Sequence, residues 1–287
     1  MIDFKIKLHR NFLPADTQGQ KLFILFEIDP EKNIGCDKHS SAGDIGSAGG
    51  DAGDIGGFSG TGVTEYSNKK TVYKLILNII SIIKNMKIER VSKVYPTQAE
   101  IDPSSNPIIL GDVESGDASV FLIETSVPGN KPGKASLLKI NLACGGGNEG
   151  YGNGNGGGGT FETVKTPDTE ISIEYSNDNG IAYGTDKEVM HYIQQRNICS
   201  MIEQAENESA NNANKAIEIL KSAMKTAAVL NNASMTRVLG RAIKEIEDNH
   251  GFKDSTMKTL KTDAKTRTVK FDKNMFTDEE IKKITGV

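Results

Sequence analysis

Cysteine is scarce in this chain. Cys36, Cys144 and Cys199 are the three found in 287 residues. Their odd number and the lack of a Cys-x-x-Cys pair argue against a disulfide framework and read as free, reduced thiols in a cytoplasmic protein. Basic charge is also in short supply. The 34 Lys and Arg stand against 38 Asp and Glu, for a net −4 and a pI near 5.7. That balance argues against general nucleic-acid binding, which needs a basic face. Long apolar runs are missing. Residues 1–10 alternate polar and apolar and so lack the continuous core of a secretory signal. The greasiest stretch, 75–83, is broken by Asn78 and Ser81 and falls far short of the ~20 residues that a membrane helix needs. His9, His39, His191 and His250 show no metal-ligand spacing, and Glu203, Glu206 and Glu208 read as a solvated helix face. No P-loop pattern and no Gly-x-Ser-x-Gly elbow occurs.

Glycine, by contrast, is concentrated. Residues 35–62 hold 10 glycines and residues 145–159 another 10, out of 30 in the chain. Glycine loses the most backbone entropy on ordering and brings no side chain to a core, so neither tract is expected to be a packed element. Both are read as linkers outside the fold that proteases cut first. The Asp/Gly stretch 49–57 resembles calcium-binding repeats, but those work by stacking several turns and one is present here.

Around the tracts the pattern is that of strands. Ile2, Phe4, Ile6 and Leu8 alternate with polar residues, the period of a strand with one buried face. Residues 21–28 are nearly continuously apolar and read as a buried strand. Residues 71–83 and 86–94, with Lys84 and Asn85 between them, read as a hairpin that Pro96 terminates. Shorter candidates follow at 108–110, 119–127, 137–143, 160–165 and 170–175. Many short strands without intervening helices predict an antiparallel β-sandwich. Strands 2–9 and 21–28 are expected to pair with the region after residue 71, because so small a hairpin is not stable alone.

The period changes at Thr185. Thr185 and Glu188 have the spacing of a capping box. A first helix to about residue 207 carries Val189, Ile193, Met201, Ile202 and Ala205 on one side. A second, 210–230, carries the narrow seam Ala216, Leu220, Ala223, Ala227 and Leu230. A third starts near Ser234 with Met235, Val238, Leu239, Ala242, Ile243 and Ile246, and Gly251 ends it. The fold class is therefore α+β: an antiparallel β-sandwich (1–34 and 63–184) followed by a small three-helix module (185–251). The remainder, 252–287, reads as a polar Thr/Lys-rich tail ending in a short helix, 278–284, capped by Thr277. Its lysines outnumber its aspartates, but without interleaved aromatics they read as a solvated surface.

Several segments then carry a family resemblance. His9-Arg10-Asn11-Phe12-Leu13-Pro14-Ala15-Asp16 with Gly19-Gln20-Lys21-Leu22, Val94-Tyr95-Pro96, Leu110-Gly111-Asp112-Val113, Val189-Met190 with Tyr192 and Gln194-Gln195-Arg196-Asn197, Thr266-Arg267-Thr268-Val269-Lys270 and residues 281–285 occur in order over about three quarters of the chain. Together they resemble a prokaryotic family of von Willebrand factor A (VWA) domain proteins. In that family a VWA domain is inserted into a β-sandwich and a helical segment follows. The resemblance implies scaffolding or assembly work. A VWA domain binds Mg²⁺ through an Asp-x-Ser-x-Ser loop, and no such loop follows residues 22–34 here, although Glu27, Asp29 and Asp37 are present. The glycine tract 35–62 stands where the VWA domain would be inserted.

The preferred reading is a non-enzymatic interaction or scaffolding protein, with no cofactor, no metal site, no membrane insertion and other proteins as its partners. Met190, Met201, Met224 and Met235 are the candidate partner surface, because methionine adapts to irregular contacts; a place in the core is the competing reading for each. Some apolar surface on 185–250 is expected to stay exposed. Thr266 and Thr268, flanked by basic residues, are candidate phospho-acceptors, against an unmodified surface segment. The alternatives are an enzyme with a cryptic site at Cys199 or Cys144, and a weak Ca²⁺/Mg²⁺ sensor using the Asp/Gly linker.

Overall fold

The computed structural model describes residues 4–29, 72–114, 118–145, 163–178, 184–209, 211–249 and 253–273. Cys36, His39, His250, Gly251, Thr277, the linker 35–62, nearly all of 145–159 and the expected terminal helix 278–284 lie outside them, as do the side-chain surroundings of Cys144.

The strands are β1 (Phe4–Leu8), β2 (Phe12–Pro14), β3 (Gln20–Ile28), β4 (Val72–Ser81), β5 (Lys87–Tyr95), β6 (Ala99–Ile101), β7 (Ile108–Glu114), β8 (Ser119–Val127), β9 (Gly133–Gly145), β10 (Thr163–Lys165) and β11 (Thr169–Ser176). They form a 5-stranded sheet in the order β1-β3-β8-β5-β6 and a 6-stranded sheet in the order β2-β11-β9-β4-β7, with β10 on β9. The described pairs are antiparallel except the β2–β11 pair, which is parallel. The sheets enclose one core. Leu22, Ile24, Phe26 and Ile28 of β3 and Phe121 and Ile123 of β8 face Leu75, Leu77 and Ile79 of β4, Leu138, Ile140 and Leu142 of β9, and Ile171, Ile173 and Tyr175 of β11. The gap is closed as expected. β3 pairs with β8 from Gln20↔Val127 to Ile28↔Ser119, although 91 positions separate Ile28 from Ser119.

Residues 71–95 do not form a hairpin. β4 pairs with β7 and β9, β5 with β6 and β8, so the connection at Asn85 carries the chain from one sheet to the other. The sandwich buries the apolar faces of β4 and β5 against each other's sheets rather than side by side. Asn85 takes a left-handed conformation (φ 65°), which Asn tolerates better than most residues.

The helices are α1 (Lys187–Ser209), α2 (Ala213–Val229), α3 (Ala233–Asn249) and α4 (Asp254–Thr266). Among the described residues the module thus has four helices rather than three. Met257, Leu260 and Ala264 of α4, spaced three and four apart, join the helical core. Their surroundings of Thr and Lys made this segment read as tail, and packing against α1 and α3 supplies what its own composition does not. The alanine seam of α2 is fully buried as expected. The helices close a ring, α1 against α2 and α4, and α3 against the same two. Asn212 caps α2, accepting from the Lys215 amide at 3.0 Å. Asn232 caps α3, accepting from the Met235 amide at 2.9 Å. The expected capping box does not form. Asp186, not Thr185, caps α1, its Oδ1 accepting from the amides of Glu188 (2.9 Å) and Val189 (3.0 Å). Glu188 is drawn away to Lys5 and Lys7, and Thr185 bridges to Arg10.

Candidate functional site

The helical module meets the sandwich through α1, which lies on the outer face of the first sheet. β3 and β8 are therefore buried on both faces, which is why their sequences are nearly continuous in apolar residues. Leu25, Val120, Leu122 and Val94 on the sheet pack against Val189, Tyr192 and Ile193 on the helix.

Polar groups fix the position of that apolar contact. Arg196 Nη2 donates to Glu124 Oε2 at 2.9 Å, and Lys21 Nζ donates to Glu124 Oε1 at 2.6 Å. The guanidinium also lies over Phe23, 5.5 Å from its ring centre. Burial alone would raise the Glu124 pKa; Lys21 and Arg196 outweigh it and hold the carboxyl below its ordinary range. At the start of α1 the same balance holds for Glu188. Burial pushes it up, but Lys7 Nζ at 2.7 Å and Lys5 Nζ at 3.2 Å bring it below the usual carboxylate value.

A strap formed by residues 267–271, just after α4, completes the junction. Gln195 spans it: Nε2 donates to the Val94 carbonyl (3.0 Å) and Oε1 accepts from the Val269 amide (2.7 Å). Gln98 Nε2 donates to the Gln195 carbonyl at 3.1 Å, and the Gln98 amide to the Lys265 carbonyl at 2.8 Å. His191 Nε2 lies 2.9 Å from the Val269 carbonyl, the Phe271 amide donates to Tyr192 Oη at 3.3 Å, and Asn232 Nδ2 donates to the Arg267 carbonyl at 2.6 Å. Nothing in the periodicity of the sequence marks this strap. Its signal is the pair of glutamines at 98 and 195, whose amides each bond in two directions.

The sequence-selected residues fall in different places. Met235 is in the helical core, 1% exposed. Met201 and Met224 are half-buried at the margin of that core. Met190 packs instead at the sheet-facing cluster. Three of the four thus surround one cluster, and Met190 belongs to the junction. Thr266, exposed at the end of α4, donates to the Thr262 carbonyl at 2.9 Å. Thr268 is half-buried and its hydroxyl donates to the Pro96 carbonyl. Cys199 Sγ donates to Gln98 Oε1 at 3.0 Å, and burial raises its thiol pKa to about 12. A thiol so placed stays protonated at neutral pH. Among the described residues no three His, Cys, Asp or Glu side chains converge as metal ligands, and no helix is long and apolar enough to cross a membrane.

Exposed large aliphatic side chains lie away from the module. Ile80 (54%), Ile82 (44%) and Ile109 (53%) lie on the second sheet, against Val229 (39%) alone on the described helices. Ile80 is on the outward face of β4, whose inward residues are Leu75, Leu77 and Ile79; Ile76 of that outward face pairs with Ile109 of β7. The sequence carries only part of this signal, since the outward set of β4 mixes Ile76 and Ile80 with Lys74 and Asn78.

No protein-family model matches the chain, and no curated protein matches it. Among solved structures it is similar to a von Willebrand factor type A protein from Catenulispora acidiphila, with a TM-score of 0.51 and 19% sequence identity over 70% of this chain and 47% of that one. The chain thus spans about half the length of that protein. The likeness is one of fold.

Proposed function

We propose that this chain is a non-enzymatic scaffold that binds other proteins, equivalent to the β-sandwich and helical parts of a VWA-domain protein without the metal-dependent adhesion site. The observation that carries the reading is the junction. A sandwich interrupted after Ile28 and resumed at Val72 is joined to a helical module through one docked helix and a strap, an arrangement that holds two surfaces in fixed relation. The fold likeness to a VWA-type protein supports it. The raised thiol pKa of Cys199 speaks against the enzyme alternative at that residue, and the proposal includes a cytoplasmic setting for the free thiol.

The partner surface is placed on the margin of the helical module, at Met201 and Met224. Both are half-buried, so a lysine at either position extends its ammonium to solvent while its stem keeps part of the contact. The test is retention of partner proteins by the immobilised full chain, identified by mass spectrometry, for wild type, Met201→Lys and Met224→Lys. The expected result is loss of a defined set of proteins by at least one variant, with the melting temperature changed by no more than about 2 °C, roughly 1 kcal/mol or less for a chain of this size. A wild-type chain that retains no protein specifically would overturn the scaffold reading.

A further inference from the structure

The strap is held by its backbone. Asn232 Nδ2 donates to the Arg267 carbonyl, Gln195 Oε1 accepts the Val269 amide, His191 Nε2 meets the Val269 carbonyl, and Tyr192 Oη accepts from the Phe271 amide. Bonds at 267, 269 and 271 are those that one edge of a β-strand makes to its neighbour. Here four side chains of the helical module stand in for the neighbouring strand. All four are only 1–3% exposed, so the receiving surface is built into the fold. The strap is not: none of residues 267–271 is itself buried. Two side-chain contacts add selectivity. The Thr268 hydroxyl donates to the Pro96 carbonyl. The Phe271 ring lies edge-on to His191, with centroids 5.6 Å apart, at the margin of the cluster of Val189, Tyr192 and Ile193.

The strap can leave without the elements on either side of it. α4 ends at Thr266 and is anchored in the helical core by Met257, Leu260 and Ala264. α1 stays on the sheet through Val189, Ile193 and the Arg196–Glu124 pair. A segment with no buried side chain, held by a short row of hydrogen bonds, belongs to the part of a protein that opens locally, ahead of global unfolding. Opening leaves four buried polar side chains short of a partner, which is costly. The groove therefore favours any chain that restores the bonds.

We propose that the groove under the strap is a docking site for an extended segment of a partner protein, and that the strap is its internal competitor. The incoming segment presents one backbone edge to Asn232, Gln195, His191 and Tyr192. It brings a small hydroxyl residue to the Pro96 carbonyl and, three residues on, an aromatic ring to His191. Main-chain bonds supply the affinity and the two side chains the choice of sequence, as when a strand is added to a sheet edge. The pattern is the one that the groove already accepts in Thr268 to Phe271. The inference rests on the scaffold reading and names a partner chemistry for a face other than the methionine margin.

The probe is a fluorescein-labelled peptide with the sequence of residues 265–273, titrated with the full chain and followed by anisotropy. In wild type the tethered strap competes, so only the open fraction binds. Val269→Pro in the chain removes the amide that Gln195 accepts, and should raise the affinity for the peptide about tenfold or more. A peptide carrying the same Val269→Pro change, or Thr268→Val with Phe271→Ala, should bind about tenfold or more weakly than its parent. Circular dichroism melting checks that the variant chain is folded. Amide exchange in wild type is a second measurement that needs no variant: Val269 and Phe271 should exchange about a hundredfold or more faster than the α1 amides that require global unfolding. Strap amides that exchange only with global unfolding would overturn the proposal. So would a folded Val269→Pro chain with no more affinity for the peptide than wild type, or equal binding of the proline peptide. A wild-type chain that dimerises as its concentration rises, and that the peptide returns to monomer, would assign the groove to the strap of a second copy instead. If the groove fails in any of these ways while Met201→Lys or Met224→Lys still loses retained proteins, the scaffold reading stands without it.

Discussion

Replacing Glu124 by Gln leaves Arg196 buried at the helix–sheet junction without a counter-charge. The two side chains are 9% and 7% exposed, and the guanidinium already has Nε and Nη1 without hydrogen-bond partners among the described residues. Phe23 beneath it is a weak substitute for a carboxylate. Removing one partner of a buried pair costs about 3–5 kcal/mol, because the other charge stays desolvated. The reverse change, Arg196→Met, is milder. Glu124 keeps Lys21 at 2.6 Å, and the methionine fills most of the space of the arginine stem, so the loss is about 1.5–3 kcal/mol, the value of a charged hydrogen bond. The double change E124L/R196M, which removes both charges, should lie within about 2 kcal/mol of wild type. The chain contains no tryptophan, so unfolding in urea is followed by circular dichroism at 222 nm, which reports the helices. Amide exchange in α1 separates undocking of the module from global unfolding. Equal losses for E124Q and R196M, or a double variant less stable than E124Q, would refute the view that the cost lies in the orphaned guanidinium.

Acid should weaken the fold before the carboxylates titrate. His9 Nδ1 accepts the Phe23 amide at 3.0 Å, and burial with the nearby Arg10 charge lowers its pKa from 6.5 to about 3. The unfolded chain therefore binds the extra proton first, and stability present above pH 6.5 is lost as pH falls toward 3, by about 2 kcal/mol at pH 5. His191, also lowered by burial, acts in the same direction, while the depressed Glu124 and Glu188 contribute losses below about pH 4.5. Urea titrations at pH 7.5, 6 and 5 should show a shallower slope for His9→Gln than for wild type; an unchanged slope would exclude His9 as the cause. In a Cys36→Ser, Cys144→Ser background, Cys199 should react with a disulfide reagent at neutral pH no faster than the junction opens, and at the rate of a free thiol only in denaturant. Rapid reaction of the native protein would contradict its burial and revive the enzyme alternative.

Where a pattern in sequence is set by local burial, it was legible. The nearly continuous apolar run of β3 announced a buried strand, and the seam from Ala216 to Leu230 announced the packing of α2. What the sequence hid depends on the competition between distant groups. Thr185 and Glu188 have the spacing of a capping box, but Lys5 and Lys7 across the junction attract Glu188 more strongly, and Asp186 caps the helix. Residues 71–95 have the composition of a hairpin, yet partner choice places β4 and β5 in opposite sheets. α4 and the strap are polar, and only their neighbours make them part of the fold. Of the candidate site, the methionines were visible as types but not as positions: one of them is core, and the exposed isoleucines lie on the other side of the sandwich.

The registers also bear on why a sandwich with such breaks holds together. Ile28 pairs with Ser119, and Val72 pairs with Glu114. The chain between Glu114 and Ser119 spans five residues, at most about 18 Å fully extended. The end of β3 and the start of β4 therefore lie at the same end of the sandwich. Gly145 pairs with Lys74 on one side and Thr163 on the other, so the second glycine tract also starts and finishes there. The cost of closing a connection grows only with the logarithm of its length, about 0.6 kcal/mol for each doubling. Close exit and re-entry points therefore make the length of what joins them nearly irrelevant to the stability of the sheets. The strands that pair across the first break, β3 with β8, are also the pair on which α1 docks. Junction and sandwich thus share their central strands, and the scaffold reading holds for a short connection at 29–71 as well as for an inserted domain.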